Sequence, residues 1–368
     1  MRAYLDHAST SPLRPVARQA MIEWLERNDA GDPARVHAEG MVARVAIEEA
    51  REQVAAYFGA RPRELVFTSG ATESIATASW GALQRGEHAV LSAVEHSAVR
   101  EWAERGESEV VGVGPGGRVD PSELVAAVID TTAVVHCQLV NHEVGVCQPV
   151  AEVVDAIDGR TLVHVDAAQG GGRIPISFSG SGVDLMSLSA HKLGGPTGIG
   201  ALLIRRGLRL NPLVVGGDQE RARRAGEENI AAIVGFAAAC AELGATFDGE
   251  VAHQFALTAR VIAWAEASDG IDVLGDREHR SPHLVCLGIA DIEPQPVLLG
   301  LDAGGVAVHS GSSCSSEAFE PSPVLEAMGV DAQHSLRVSV GWSSTDTDVD
   351  QLLALLDRVL ADLRLLRT

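Results

Sequence analysis

Hydrophobic and polar positions alternate along this chain with two different periods. Stretches such as "PVARQAMIEWLERN" and "ARVAIEEAREQVAAYFG" place apolar residues at helical spacing, with polar residues between them. Short blocks that are apolar on both faces predict strands at "ELVFTS", "HAVLSAV", "SEVVGV", "TTAVVHCQLV", "TLVHVDA", "VDLMSLSA" and "GIGALLIR". Helical patterns separate several of these blocks. That alternation predicts an α/β fold, with a mainly parallel central sheet covered by helices and chemistry at the carboxyl ends of the strands.

After "AGEENIAAIVGFAAACAELG" the pattern changes. A long helix is predicted over "GEVAHQFALTARVIAWAEAS", then strands at "GIDVLG" and "HLVCLGI" and a helix at "QPVLLGLDAGG". A strand at "SLRVSVG" and an amphipathic helix from about Asp346 to Leu366 close the chain. This predicts a large domain over 15–247 and a small α+β domain built from 1–14 and 248–368.

Composition narrows the functional classes. The 368 residues are 46% hydrophobic, an ordinary globular composition. The formal charge of −21 repels phosphate backbones and argues against direct nucleic-acid binding. No uninterrupted apolar run of membrane-spanning length is evident, and "MRAYLDHAST" has no leader pattern, so the cytoplasm is the expected compartment and no membrane partner is expected. Five cysteines without pairing or metal-ligand spacing predict neither a disulfide framework nor a metal site. Four of them, Cys137, Cys147, Cys240 and Cys286, sit in apolar company and read as inert thiols. Cys314 alone sits in a polar run, "HSGSSCSSE", which reads as a loop.

Lys192 is the only lysine; every other basic residue among the 29 is an arginine. Arginine replaces lysine in most surface roles, but guanidinium is no nucleophilic amine. The lone lysine therefore marks a position that needs the amine. It lies in "LMSLSAHKLGGPTGIG", after a predicted strand that ends in Ser189 and His191. "LVHVDAAQGGG" ends another strand at Asp166, with Gln169 three residues on. An acid and a lone lysine at neighbouring strand ends suit pyridoxal 5′-phosphate, with the lysine holding the aldehyde as a Schiff base and the carboxylate keeping the pyridine nitrogen protonated. Ser189 and His191 stand where they would bond the phosphate. "FTSGATES" adds a glycine turn and a helix start at Ala71 and Thr72, a common phosphate-binding arrangement and also an ordinary helix cap. His96, in "VEHSAV", is placed either to stack on a planar cofactor and move protons or simply to cap a helix.

"YLDHAST", "FTSGATES", "EHSAV", "NHEVGV", "HVDAAQ", "SLSAHKLGGPTGIGALLIR", "RAGEEN", "SGSSCSSEAFEPSPVL" and "SLRVSVG" follow one another in the order found in one family. Through them the chain resembles the cysteine desulfurases, class V members of the fold-type-I (aspartate aminotransferase-like) pyridoxal phosphate enzymes. The resemblance implies a homodimer that converts L-cysteine to L-alanine and passes sulfur, held as a persulfide on Cys314, to an acceptor protein, for example in iron–sulfur cluster assembly. It further implies Lys192 as the cofactor lysine and Asp166 at the pyridine nitrogen. Gln169 would meet the phenolic oxygen, and His96 the ring. Thr72, Ser189 and His191 would hold the phosphate, and Arg337 the substrate carboxylate.

Two positions depart from the family pattern. Asn141 is followed by His142 where a second asparagine is usual, which touches the expected contact with the substrate carboxylate. Glu227 replaces a threonine that normally reaches the phosphate in the other subunit. Beside a phosphate this carboxylate would repel, so it either turns away, is paired by Arg223 or Arg224, or alters cofactor affinity. These departures leave two alternatives open: a related selenocysteine lyase or C–S β-lyase, which would need Lys192 but not Cys314, or a weakly active sulfur-relay or scaffold protein.

Overall fold

The computed structural model describes residues 2–28, 31–310 and 321–366. The strands are β1 (Ala3–Tyr4), β2 (Leu65–Thr68), β3 (His88–Ser92), β4 (Glu107–Val111), β5 (Thr132–His136), β6 (Leu162–Asp166), β7 (Leu185–Ser189), β8 (Gly200–Ile204), β9 (Ile271–Leu274), β10 (Leu284–Ile289), β11 (Val306–Ala307) and β12 (Ser335–Ser339). Among the described residues, β2 to β8 form one sheet in the order β2-β8-β7-β6-β5-β3-β4. Pairing is parallel from β4 across to β7, and antiparallel only where β8 meets β7 and β2. Every central strand from β5 to β8 is buried on both faces apart from half-buried Leu162, which is why apolar residues recur on both faces instead of alternating with polar ones.

The second half carries an antiparallel sheet in the order β12-β10-β9, and β1 pairs in parallel with β11. The N-terminal strand is thereby held against the region that precedes the cysteine segment. Leu5 N–H continues this pairing onto Ala307 O at 2.8 Å.

The helix after "RAGEEN" differs from expectation. It runs unbroken from Ile230 to Glu266 across the predicted boundary at 247/248 and merges two segments read as separate. Gly244 and Gly249 lie inside it without interrupting it. Each interior glycine costs roughly 1 kcal/mol in helix propensity, which packing of both ends offsets. Ile230, Phe236 and Leu243 enter the large core under the seven-stranded sheet, whereas Leu257, Val261 and Ala265 enter a second core around β10, β12 and the C-terminal helix Asp346–Leu365. One stretch of this helix is apolar and long enough by composition to cross a membrane, although Glu242 interrupts its apolar run, and half of that stretch is buried within the protein.

Candidate active site

The parallel strands deliver their carboxyl ends to one edge, and a cavity of about 450 Å³ opens there. This is a volume typical of small-molecule sites. Ala71, Thr72, His96, His142, Asp166, Gln169, Ser189, His191, Lys192 and Arg337 all line it. Asn141 does not. Its amide is spent on the backbone, donating to Val94 O at 3.1 Å and accepting from the N–H groups of Glu143 and Val144 at 2.9 Å each. His142, the other residue of this pair, does line the cavity. Cys314 lies outside the described residues.

Asp166 is the last residue of β6 and Ser189 the last of β7; the parallel register pairs Asp166 with Ser187, so Ser189 stands two residues farther along the same edge. Lys192 follows in the one-turn helix His191–Leu193. The Asp166 carboxylate is buried, and among the described residues its hydrogen bond comes from Ala168 N–H at 2.9 Å. Burial pushes its pKa up, against His96, the Ala168 amide and Lys192, which favour the charge. A buried carboxylate with remaining acceptor capacity, facing a cavity, calls for a cationic N–H partner.

His96 has the helix-capping role read from its sequence and also faces the cavity. It caps the helix Ser97–Ala103, with Nδ1 accepting from Ala98 N–H at 3.1 Å. A neutral imidazole that accepts at Nδ1 carries its proton on Nε2, so in this arrangement it is a donor. His142 meets it edge-on, with ring centroids 5.0 Å apart. Burial, then the charges of His96, Arg337, Lys192 and Arg100, hold His142 well below the usual 6.5, so it is neutral. His191 is lowered to about 4 by burial and by Lys192, and its Nδ1 lies 3.0 Å from Thr10 Oγ1. Beside His96, the fully buried Glu95 is pushed up to about 8, chiefly by burial, and its Oε1 accepts from Gln138 N–H at 2.6 Å.

The phosphate-cradle reading has direct geometric support. The helix Ala71–Leu83 begins at the cavity without a side-chain cap, leaving its first N–H groups for a ligand. A Cβ built on Gly70 or on Gly198 would meet no atom within 4 Å, so both glycines open onto free space in the cavity wall. Gly200 is the converse. Its Cα faces the turn so closely that a Cβ would lie 2.5 Å from Leu188 O and 2.7 Å from Gly70 Cα. A buried acid, a lone lysine, and hydroxyl and amide donors at a helix start fit pyridoxal 5′-phosphate.

Glu227 is exposed and does not line the cavity. Neither arginine neighbour compensates it: Arg224 pairs with Glu73 at 2.9 Å, and Arg223 donates to backbone carbonyls, including Arg63 O at 3.0 Å.

The sequence reading missed the segment Asp6–Ser11. Lys192 Nζ donates to the carbonyls of Ala8 at 2.5 Å and Ser9 at 2.8 Å, and Gln169 Nε2 donates to Ala8 O at 2.7 Å. Gln169 Oε1 lies 3.3 Å from Nε2 of the buried His283. The conspicuous motif "YLDHAST" was the available signal, but no residue in it has an obvious chemistry of its own.

A parallel α/β sheet with a lone lysine and a buried acid at adjacent strand ends defines a fold-type-I pyridoxal phosphate enzyme. The aminotransferase class-V family model matches residues 3–352, and the chain belongs to that family. Within it, the chain is similar to the cysteine desulfurase IscS of Dictyoglomus turgidum, 38% identical with 98% of this chain and 95% of the relative covered. It is also similar to cysteine desulfurase IscS 1 of Archaeoglobus fulgidus, 37% identical with 98% and 97% covered. A solved NifS-like protein superimposes with a TM-score of 0.92 at 32% identity, covering 98% of this chain and all of that one.

Proposed function

We propose that this protein is a pyridoxal phosphate-dependent cysteine desulfurase, acting as a homodimer that converts L-cysteine to L-alanine and transfers sulfur from a Cys314 persulfide to an acceptor protein. The observation that carries the reading is the meeting of the sole lysine, the buried Asp166 and the buried Arg337 in one cavity of a chain with this family membership. The net step is balanced without an outside oxidant. The Cβ–S bond of cysteine breaks, a bond forms between that sulfur and the Cys314 sulfur, and Cβ takes the proton that completes the methyl group of alanine.

Pyridoxal phosphate, bound here, supplies an aldehyde for the substrate amine and a ring that accepts the electron pair. Lys192 would hold the cofactor through its amine and is placed to carry a proton at the substrate α-carbon. Asp166 holds a positive charge on the ring nitrogen, and Thr72, Ser189, His191 and the helix start at Ala71 hold the phosphate. Arg337 takes the substrate carboxylate. His96, with its proton on Nε2, orients and stabilises a developing thiolate by donating a hydrogen bond; it becomes a base only by giving up its bond to Ala98. Cys314 attacks as thiolate, a form that is a minor fraction at neutral pH for an unperturbed thiol of pKa about 8.5.

Purified protein given L-cysteine and a reductant should release alanine and sulfide in equal amounts, and Cys314→Ala should abolish both. Alanine release by Cys314→Ala at the wild-type rate would instead assign a lyase that needs no enzyme thiol. A colourless protein that pyridoxal phosphate does not turn yellow would assign a relay or scaffold role.

A further inference from the structure

Arg337 is buried to 1% exposure at the centre of β12, and its guanidinium is already partly engaged. Nη1 donates to His142 O at 2.9 Å, and Nη2 donates to Ser9 Oγ at 2.7 Å and to Asp6 Oδ1 at 3.1 Å. Nε has no hydrogen-bond partner among the described residues. The Ser9 hydroxyl in turn donates to Asp6 Oδ1 at 2.9 Å. It therefore stands between a cation and an anion, accepting from one and donating to the other. On its backbone side the same residue accepts from Lys192 Nζ. Thr10 and Ser11 continue the contact: Thr10 Oγ1 meets His191, and Ser11 Oγ donates to Lys192 O at 2.9 Å.

We propose that Ser9 is a positioning residue for carboxylate recognition, fixing the Arg337 guanidinium through a second, shorter bond to Nη2 beside the Asp6 ion pair. Without the hydroxyl, Nη2 keeps only its bond to Asp6, and the guanidinium turns toward that carboxylate and away from the ligand. The Ser9 carbonyl also accepts from Lys192 Nζ, so one short segment touches the residues proposed for both the amine-binding and the carboxylate-binding ends of an α-amino acid. This inference rests on the proposed function, which supplies the ligand class.

The experiment compares wild type, Ser9→Ala and Ser9→Thr as holoenzymes with the yellow band and melting temperature recorded for each. Loss of a hydrogen bond to a charged group predicts a KM for L-cysteine about tenfold higher in Ser9→Ala, with kcat within about twofold. The spectral Kd for L-alanine rises by the same factor, whereas that for ethylamine, which lacks the carboxylate, stays put. Ser9→Thr, which keeps the hydroxyl, returns L-alanine binding most of the way. An unchanged KM and L-alanine Kd in Ser9→Ala overturns the proposal, as does equal weakening for L-alanine and ethylamine. Ser9→Gly removes the same oxygen and must shift L-alanine alike. Should wild type release no alanine from cysteine, the functional reading fails, yet the L-alanine and ethylamine comparison still decides the role of Ser9.

Discussion

Glu220 offers a sharp test of how the scaffold holds the cofactor turn. Its carboxylate, 5% exposed, accepts from both terminal nitrogens of Arg51 at 2.7 Å and from Phe67 N–H at 2.9 Å. Arg51 is 2% exposed and lies over the Phe67 ring at 4.9 Å. Glu220, Arg221 and Ala222 are all left-handed, with φ of 48°, 59° and 60°. Such residues cost of order 1–3 kcal/mol each and persist only when their surroundings enforce them. Glu220→Gln keeps the volume but turns one acceptor into a donor facing an N–H group, leaving a buried guanidinium without its main counter-charge. Removing one partner of a buried pair costs about 3–5 kcal/mol, and the lower end applies because Glu48 still reaches Arg51 Nε at 3.0 Å. For 368 residues, at about 2.1 cal/mol/K of unfolding entropy per residue, about 3 kcal/mol corresponds to a fall in Tm of about 4 °C. Two residues after the turn, Arg224 grips Glu73, whose other oxygen accepts from Ser69 N–H at 2.8 Å at the mouth of the cavity. Pyridoxal phosphate should therefore dissociate faster from the variant. Thermal unfolding with and without added cofactor and a dilution assay for cofactor loss measure both effects. The double variant Arg51→Met/Glu220→Gln should recover at least half of the stability, since it leaves no orphaned charge. A single variant within about 2 °C of wild type with unchanged cofactor retention would refute the reasoning.

Acid should destabilise the protein through its buried histidines. Complete burial lowers His136 from the usual 6.5 to about 4, and its Nδ1 lies 2.8 Å from His164 Nδ1, on a ring likewise held well below 6.5. The unfolded chain protonates these rings first, so the stability is fully present above pH 6.5 and is lost as pH falls toward 4; His136 alone accounts for about 2 kcal/mol at pH 5. The slope of Tm against pH between 7 and 5 should be steep in wild type and shallower in His136→Asn, and equal slopes would reject the assignment. Gly200→Ala should weaken pyridoxal phosphate retention markedly, because the added methyl must displace Leu188 O or the Gly70 backbone. Equilibrium dialysis that finds wild-type retention in the variant would show that this turn does not depend on that close approach.

The strands and the principal site residues were legible because their signals are local. Two-faced apolar runs announce β5 to β8, and Asp166, Ser189 and Lys192 stand at or just past strand ends whose position the runs define. What escaped was long-range. Ser9 and Arg337 are separated by 328 positions, and His283 and Gln169 by 114, so no spacing rule connects them. Asn141 read as a ligand contact because nothing in a sequence shows that two backbone N–H groups and a carbonyl will claim its amide. The helix Ile230–Glu266 read as two because its glycines look like punctuation, and only the two cores at its ends explain its continuity.

The charge pattern of the cavity follows from the same division. Its polar lining is rich in histidine, yet burial holds His142 and His191 well below their usual range, and Lys192 and Arg337 add positive charge beside them. Both of these extended cations are held by one short N-terminal segment, Lys192 by the carbonyls of Ala8 and Ser9 and Arg337 by the Ser9 hydroxyl and Asp6. That segment is itself fixed by β1 on β11 and by Ser339 N–H donating to Leu5 O at 2.8 Å. A lone lysine is thus only half of the design. The chain also brings its first residues across the molecule to meet both that amine and the buried Arg337.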